Sequence, residues 1–210
     1  MTGERSIFFD LDGTLTDPYV GIHRCIEYAL QSLGEPTGDD YHWAVGPPLR
    51  QSFSELVGES RADKALSLYR ERYADVGWAE NEPYPDVHDA LSSLHNERHR
   101  LFVATSKPHV FARQILEHFD LLQFFNALYG AELDGTRGDK PSLLAYALAE
   151  QKETRNAIMV GDRRSDIEGA RANGMQAWGV LYGFGTQDEL AAAGADGLLH
   201  RTTEFGRVVQ

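Results

Sequence analysis

The chain has 210 residues, 42% of them apolar, which is enough for a packed core and excludes a disordered polymer. Its formal net charge is −12, from 32 acidic and 20 basic residues, and no basic stripe interrupts it, so a nucleic-acid backbone is disfavoured as a partner. The same acidity repels anionic ligands, so a cation is expected wherever one binds.

No stretch approaches the length of a membrane span, and the segment MTGERSIFFD lacks the basic, apolar and small-residue parts of a signal peptide. No membrane partner and a cytoplasmic location are therefore expected. Cys25 is the only cysteine, so no intramolecular disulfide can form, and a buried, inert thiol is expected. His95 and His99 share a helical i, i+4 spacing, but the glutamate of HNERH is wrongly placed for a zinc-protease helix. Both read as exposed residues near a helix end. No heptad or apolar stripe fixes the oligomeric state, and monomer and homodimer both stay open.

In chain order, SIFF at 6–9 is a short apolar strand. Residues 19–77 then carry helical patterns, at 22–33 and 62–76, with no convincing strand, and the Pro-punctuated stretch 81–85 follows. This reads as a helical domain inserted after the first strand, with the chain back in the core near Tyr84. LFVAT at 101–105 is a second strand, followed by an amphipathic helix over 110–119. Ser106-Lys107-Pro108 is its expected start, with Ser106 as candidate N-cap. A helix over 141–151 follows Lys140, AIMVG at 157–161 is a third strand, a helix over 166–173 stops at Gly174, and QAWGVLY at 176–182 is a fourth strand. Strands apolar on both faces, alternating with helices, predict an α/β fold with a Rossmann-like, doubly wound parallel sheet. The expected division is 1–16 and 83–210 for this core, and 17–82 for the inserted helical domain.

The chemistry-bearing residues cluster at predicted strand ends. In FFDLDGTLTD, Asp10 and Asp12 follow an apolar strand and precede Gly13. Two residues apart on an extended chain they share a face, at the end of a strand where α/β folds bind ligands. An Asp-Gly turn explains the pattern equally well. In MVGDRRSDIEGA, Asp162 again ends a strand, and Asp166 falls in the first turn of a helix, where the dipole favours a carboxylate. Asp10, Asp162 and Asp166 together would make an oxygen-rich site of the magnesium kind. Thr105 and Ser106 offer hydroxyl and backbone N–H groups to a phosphate. Lys140 and Lys107 offer charge, although a solvated surface lysine is the ordinary alternative for each.

The segments FFDLDGTLTD, ATSK, GDKP and GDRRSD, in that order, resemble the four motifs of haloacid dehalogenase-type phosphatases, over nearly the whole chain. The insertion after the first motif resembles the helical cap of one subfamily. LDGTLTDPYVGI, VGPPL, ATSKPHVFARQILEHF and VLYGFGT are most similar to its phosphoglycolate phosphatase group and the nucleotidase-like relatives. The resemblance implies a phosphatase with Mg2+ as cofactor and a small phosphorylated metabolite as partner. Asp10 matches the nucleophile that forms an aspartyl-phosphate, and Asp12 the general acid and base. Asp10, the backbone carbonyl of Asp12, Asp162 and Asp166 match the metal ligands. Thr105 and the Ser106 amide match the phosphate grip, Lys140 the charge-offsetting lysine, and Thr14 a position that orients the first loop. Gly13 and Lys107 join them as substrate-binding residues, with Arg50 from the insertion, where His23, Trp43 and Gly46 are further candidates. A dehalogenase is disfavoured because such relatives lack the second motif aspartate. A 5'-nucleotidase, a protein-tyrosine phosphatase, a phosphomutase and a non-catalytic phosphate-binding protein are the competing readings.

Overall fold

The computed structural model describes residues 4–38, 40–46, 48–152 and 156–210. In chain order the elements are β1 (Ser6–Phe9), β2 (Thr16–Asp17), α1 (Tyr19–Ser32), α2 (Leu49–Val57), α3 (Glu59–Arg72), β3 (Glu82–Pro83), α4 (Val87–Asn96), β4 (Arg100–Pro108), α5 (His109–His118), β5 (Ala127–Ala131), α6 (Lys140–Gln151), β6 (Ala157–Gly161), α7 (Arg164–Ala172), β7 (Gln176–Val180), α8 (Gln187–Ala192) and β8 (Gly197–Leu199). The chain forms two compact units, one running up to Thr16 and from Pro83 to Gln210, the other spanning Asp17–Glu82.

The larger unit is built on a six-stranded sheet in the order β5-β4-β1-β6-β7-β8. Every pairing in it is parallel. All four residues of β1 are buried, as are all five of β6, because helices cover both faces of the sheet. Successive side chains on β1 point to opposite faces. Phe8 stacks on Phe102 at 4.7 Å, in a cluster with Leu143, Leu144 and Ile167 from α6 and α7. Phe9 points the other way and meets Phe205 at 4.9 Å. Strand order reverses beside β1: the chain moves outward through β4 and β5, then crosses to β6 and on to β8. That switch point opens a crevice at the carboxyl ends of β1, β4 and β6.

The predicted strands at 6–9 and 157–161 are β1 and β6. The second predicted strand is longer than expected. β4 continues through Pro108, with a register shift against β5 between Thr105 and Pro108. Ser106 is therefore not a helix N-cap: α5 begins at His109, after Pro108, without a side-chain cap. His99 is also buried rather than exposed. Its helix has already ended, the chain turns at Arg98 with φ 66°, and His99 accepts the Arg5 N–H on Nδ1 at 3.2 Å just before β4.

The second unit is helical, as its sequence pattern predicts. Ile22, Cys25, Ile26, Ala29 and Leu30 of α1 are buried, as are Phe53 and Val57 of α2 and Ala62, Ala65 and Tyr69 of α3. The spacing of the last three is that of one helix face. Arg72 holds Glu80 with two hydrogen bonds, at 2.7 and 3.0 Å, and donates to the Cys25 sulfur at 3.2 Å. Among the described residues, no helix is long and apolar enough to cross a membrane.

Candidate active site

The sheet register decides where the acids meet. Phe9 is level with Val160 on the adjacent β6, and the Asp10 N–H continues the ladder to Val160 O at 2.9 Å. Asp10 leaves the tip of β1 and Asp162 the tip of β6, so neighbouring strands deliver both carboxylates to one place. Asp166, in the first turn of α7, joins them. Its Oδ2 accepts the Arg163 N–H at 3.0 Å, so the carboxylate caps its own helix while its other oxygen faces the cluster. Carboxylate oxygens of Asp10, Asp162 and Asp166 all lie within 4.8 Å of one another, and all three residues are buried.

Lys140, the first residue of α6, supplies the counter-charge. Its helix start is set by Asp139, which accepts the Ser142 N–H at 2.9 Å, and by Pro141 in the first turn. The buried ammonium donates to Asp10 Oδ1 and to Ala104 O, each at 2.8 Å, and lies 2.7 Å from Asp166 Oδ1. Burial alone would lower its pKa, but Asp10 and Asp166 outweigh that and hold it above the ordinary lysine range.

Burial pushes the Asp162 carboxyl well up, and repulsion from Asp166 and Asp10 adds to it. Burial likewise pushes Asp166 up to about 6, against the attraction of Lys140. Asp12 lies beside the cluster, with Lys107 Nζ 2.6 Å from its Oδ2. Burial raises its pKa too, and Lys107 opposes the rise.

These four carboxylates face two lysine ammonium groups, leaving an excess of two negative charges when all are ionised. Asp162 Oδ1 is buried with no hydrogen-bond partner, and Phe184 N–H occupies only its Oδ2, at 2.8 Å. An orphaned carboxylate oxygen inside an uncompensated acidic cluster is costly unless a cation occupies it. The residues therefore fit a divalent metal with hard oxygen ligands.

The structure thus brings together Asp10, Asp162, Asp166 and Lys140, with Asp12 and Lys107 alongside. Gly13 packs against them: it has φ +84°, and a Cβ there would fall 2.2 Å from Asp162 Oδ2. Thr105 is buried at the tip region of β4, where its Oγ1 accepts the Lys107 N–H at 3.2 Å, whereas Ser106 is exposed. Thr14 is buried, and its carbonyl accepts the Tyr182 hydroxyl at 2.8 Å. Arg50 belongs to the helical unit, where it is exposed and paired to Glu59 at 2.7 Å and Asp63 at 2.8 Å. In the same unit Trp43 is exposed, and Gly46 takes φ 103° in a bend. The VGPPLR segment includes residue 47, which lies outside the described residues.

Sequence reasoning assigned no role to the loop after β7. Its Phe184 N–H and Gly183 backbone press on Asp162, and Tyr182 anchors the first loop. The only signal was the Gly-rich YGFG following an apolar strand.

A doubly wound α/β sheet with a buried aspartate cluster and a lysine at its topological switch point defines a phosphoryl-transfer type of site. The chain belongs to the haloacid dehalogenase-like hydrolases, whose family description matches residues 7–180. It is similar to a 5'-nucleotidase of Pseudomonas aeruginosa, 46% identical over 192 residues, covering 89% of this chain and 87% of that protein. It is similar to the tyrosine-protein kinase PtkA of Mycobacterium tuberculosis, 39% identical over 201 residues, covering 94% of this chain and 69% of that protein. The solved PtkA structure superposes with a TM-score of 0.85 at 34% identity, over 98% of each chain. A phosphoglycolate phosphatase of Aliivibrio fischeri is 30% identical over 198 residues, 86% of this chain and 85% of that protein. Within its family the chain is a phosphatase.

Proposed function

We propose that the protein is a magnesium-dependent phosphomonoesterase that works through an aspartyl-phosphate on Asp10. The observation that carries this reading is the convergence of Asp10, Asp162 and Asp166 within 4.8 Å, with Lys140 joined to two of them. Asp10, Asp162 and Asp166 would hold Mg2+, with the backbone carbonyl of Asp12. When bound, the ion supplies charge that draws an anionic phosphate into an acidic pocket and offsets charge developing in transfer.

The chain's own residues divide the remaining work. An Asp10 carboxylate oxygen attacks phosphorus, and the bond from phosphorus to the leaving oxygen breaks. That oxygen keeps the electron pair and takes a proton from Asp12. Water then attacks the aspartyl-phosphate, Asp12 accepts its proton, and the electron pair of the broken P–O bond returns to Asp10. Burial raises the Asp12 pKa, the direction that a general acid requires, while Lys107 opposes the rise. Lys140 offsets the charge on Asp10 and fixes its orientation. Thr105, the Ser106 amide and Gly13 line the phosphate position in this scheme. The unit Asp17–Glu82 serves as the cap in which leaving-group recognition resides, and Arg50 is assigned there.

The leaving group is that of a small phosphorylated metabolite. Phosphoglycolate follows from the resemblance to that group, and a nucleoside 5'-monophosphate is favoured by the 46% identity to the Pseudomonas enzyme. The test is hydrolysis of p-nitrophenyl phosphate by metal-stripped protein, with and without added Mg2+, for wild type and Asp10→Asn. It is followed by a kcat/KM ranking over 2-phosphoglycolate, uridine 5'-monophosphate and phosphotyrosine. Activity is expected only with metal and only with Asp10. Turnover unaffected by chelation, or retained by Asp10→Asn, overturns the reading.

A further inference from the structure

Lys107 departs from the role that its motif suggests. A lysine reserved for phosphate would project into the site and wait for its ligand. Here the Lys107 Nζ is already 2.6 Å from Asp12 Oδ2, on a side chain only 7% exposed. The other oxygen of that carboxylate, Oδ1, is buried and has no hydrogen-bond partner. One oxygen is pinned and the other is left available.

The local fold explains how residue 107 reaches residue 12. β4 and β1 are neighbours in the sheet, with Phe9 level with Val103. An ordinary strand would end near Thr105 and turn into its helix. β4 instead continues to Pro108 through a register shift, a device that re-aims side chains near functional sites. The Lys107 N–H bonds to Thr105 Oγ1 at 3.2 Å, which ties the irregular stretch to a buried residue. On the other side, Leu11 O accepts the N–H groups of Thr14, Leu15 and Thr16 at 3.2, 2.9 and 3.1 Å, which holds the loop carrying Asp12 in a tight turn.

We infer that Lys107 is a positioning residue for Asp12: its ammonium fixes the carboxylate by Oδ2, so that Oδ1 is the atom that exchanges protons with the leaving oxygen and then with water. The inference rests on Asp12 being the acid and base of the proposed phosphatase reaction. Lys107 itself gains and loses no proton in either step. Its contribution is orientational, and small displacements of a reacting group cost large factors in rate.

Orientation of a general acid matters in proportion to how much the leaving group needs a proton. An alkyl alkoxide needs one and p-nitrophenolate hardly does. The experiment compares Lys107→Met and Lys107→Arg with wild type in single-turnover formation of the phosphoenzyme. One substrate is p-nitrophenyl phosphate, the other the alkyl phosphate ranked first in the screen above. For Lys107→Met the alkyl rate is expected to fall about 10²-fold while the p-nitrophenyl rate falls less than about 5-fold. Asp12→Asn shows the same asymmetry, the double variant is no slower than Asp12→Asn alone, and Lys107→Arg recovers part of the alkyl rate. Equal losses with both substrates, or a raised KM at constant kcat, identify a phosphate ligand and overturn the inference. Loss of fold in both lysine variants identifies a structural role and also overturns it. Asp10→Asn separates the two claims. If it still turns over, the aspartyl-phosphate reading fails; if it is inactive while Lys107→Met shows no asymmetry, only the assignment of Lys107 fails.

Discussion

Lys140 Nζ donates to Asp10 Oδ1 at 2.8 Å, joining residues 130 positions apart in the chain. The same ammonium lies 2.7 Å from Asp166 Oδ1. One buried cation therefore spans the tip of the central strand and the start of α7, and it stands between carboxylates that would otherwise repel. The helix that carries it begins at Lys140 itself, so the N-cap at Asp139 fixes the position of a charge as well as the start of a helix.

Removing that cation should make stability more dependent on the metal. Lys140→Met leaves buried carboxylates without their partner, a change that typically costs about 3–5 kcal/mol. The metal-free variant is expected to melt well below wild type, and added Mg2+ should raise its thermal midpoint more than it raises that of wild type. Turnover should fall by at least about 10²-fold, as for loss of one preorganised charge-stabilising donor. Thermal melts with and without Mg2+, beside kcat, check this. An unchanged midpoint in the metal-free variant contradicts the counter-charge role.

The raised pKa of Asp166 gives the metal-free protein a pH signature. Its carboxyl moves from an ordinary 3.8 up to about 6 on folding, driven by burial and opposed by Lys140. The folded state then holds a proton that the unfolded state releases. The contribution is fully present below about pH 4 and is lost as pH rises through about 6. Asp162 shifts in the same direction and reinforces it. The thermal midpoint of chelator-treated protein should carry a component that declines over this window, and Asp166→Asn should flatten it. The gain in midpoint from Mg2+ should grow over the same window, because ligands bind metal in their ionised form. A Mg2+ effect that shrinks as pH rises would refute the account.

Gly161 offers a third test. A Cβ at this position would lie 2.2 Å from the Asp166 carboxyl carbon, too close for both to stay. Gly161→Ala is expected to displace Asp166 and weaken Mg2+ binding by about 10-fold or more, the usual scale for disturbing support around a metal ligand. Gly174→Ala is the control. It sits at φ +68° with open space around its Cβ, so about 1 kcal/mol of backbone strain is expected without a change in metal affinity. Calorimetric titration of Mg2+ into both variants distinguishes them. Equal affinities in the two would show that Asp166 does not depend on this contact.

Much of the core was legible because parallel strands buried on both faces write themselves as apolar runs. SIFF and AIMVG have no other economical reading, and both are strands with every residue buried. The edge strands were not legible. β5 reads ALYGA and β8 reads GLL, short and only partly buried, with glycine weakening the signal. The end of β4 was misjudged because Pro108 ordinarily opens a helix, and nothing local announces that a neighbouring strand will pair with it. His99 was misjudged for a related reason: helical spacing was extended past a turn that only the backbone reveals.

By itself the sequence determined which residues stand at strand ends and helix starts, since apolar runs, Asp-Gly and Lys-Pro punctuation are local properties of the chain. It could name Asp10, Asp12, Asp162, Asp166, Thr105 and Lys140 as candidates, but not state which atoms meet. Tertiary structure alone decided that Asp10 and Asp162 lie on adjacent strands, that Lys140 is shared by Asp10 and Asp166, that Lys107 is held on Asp12, and that the Phe184 N–H closes one side of Asp162. The physical reason is that strand order, register and burial are set by packing between segments far apart in sequence. It is those long-range contacts that place a charge beside its partner and remove both from water.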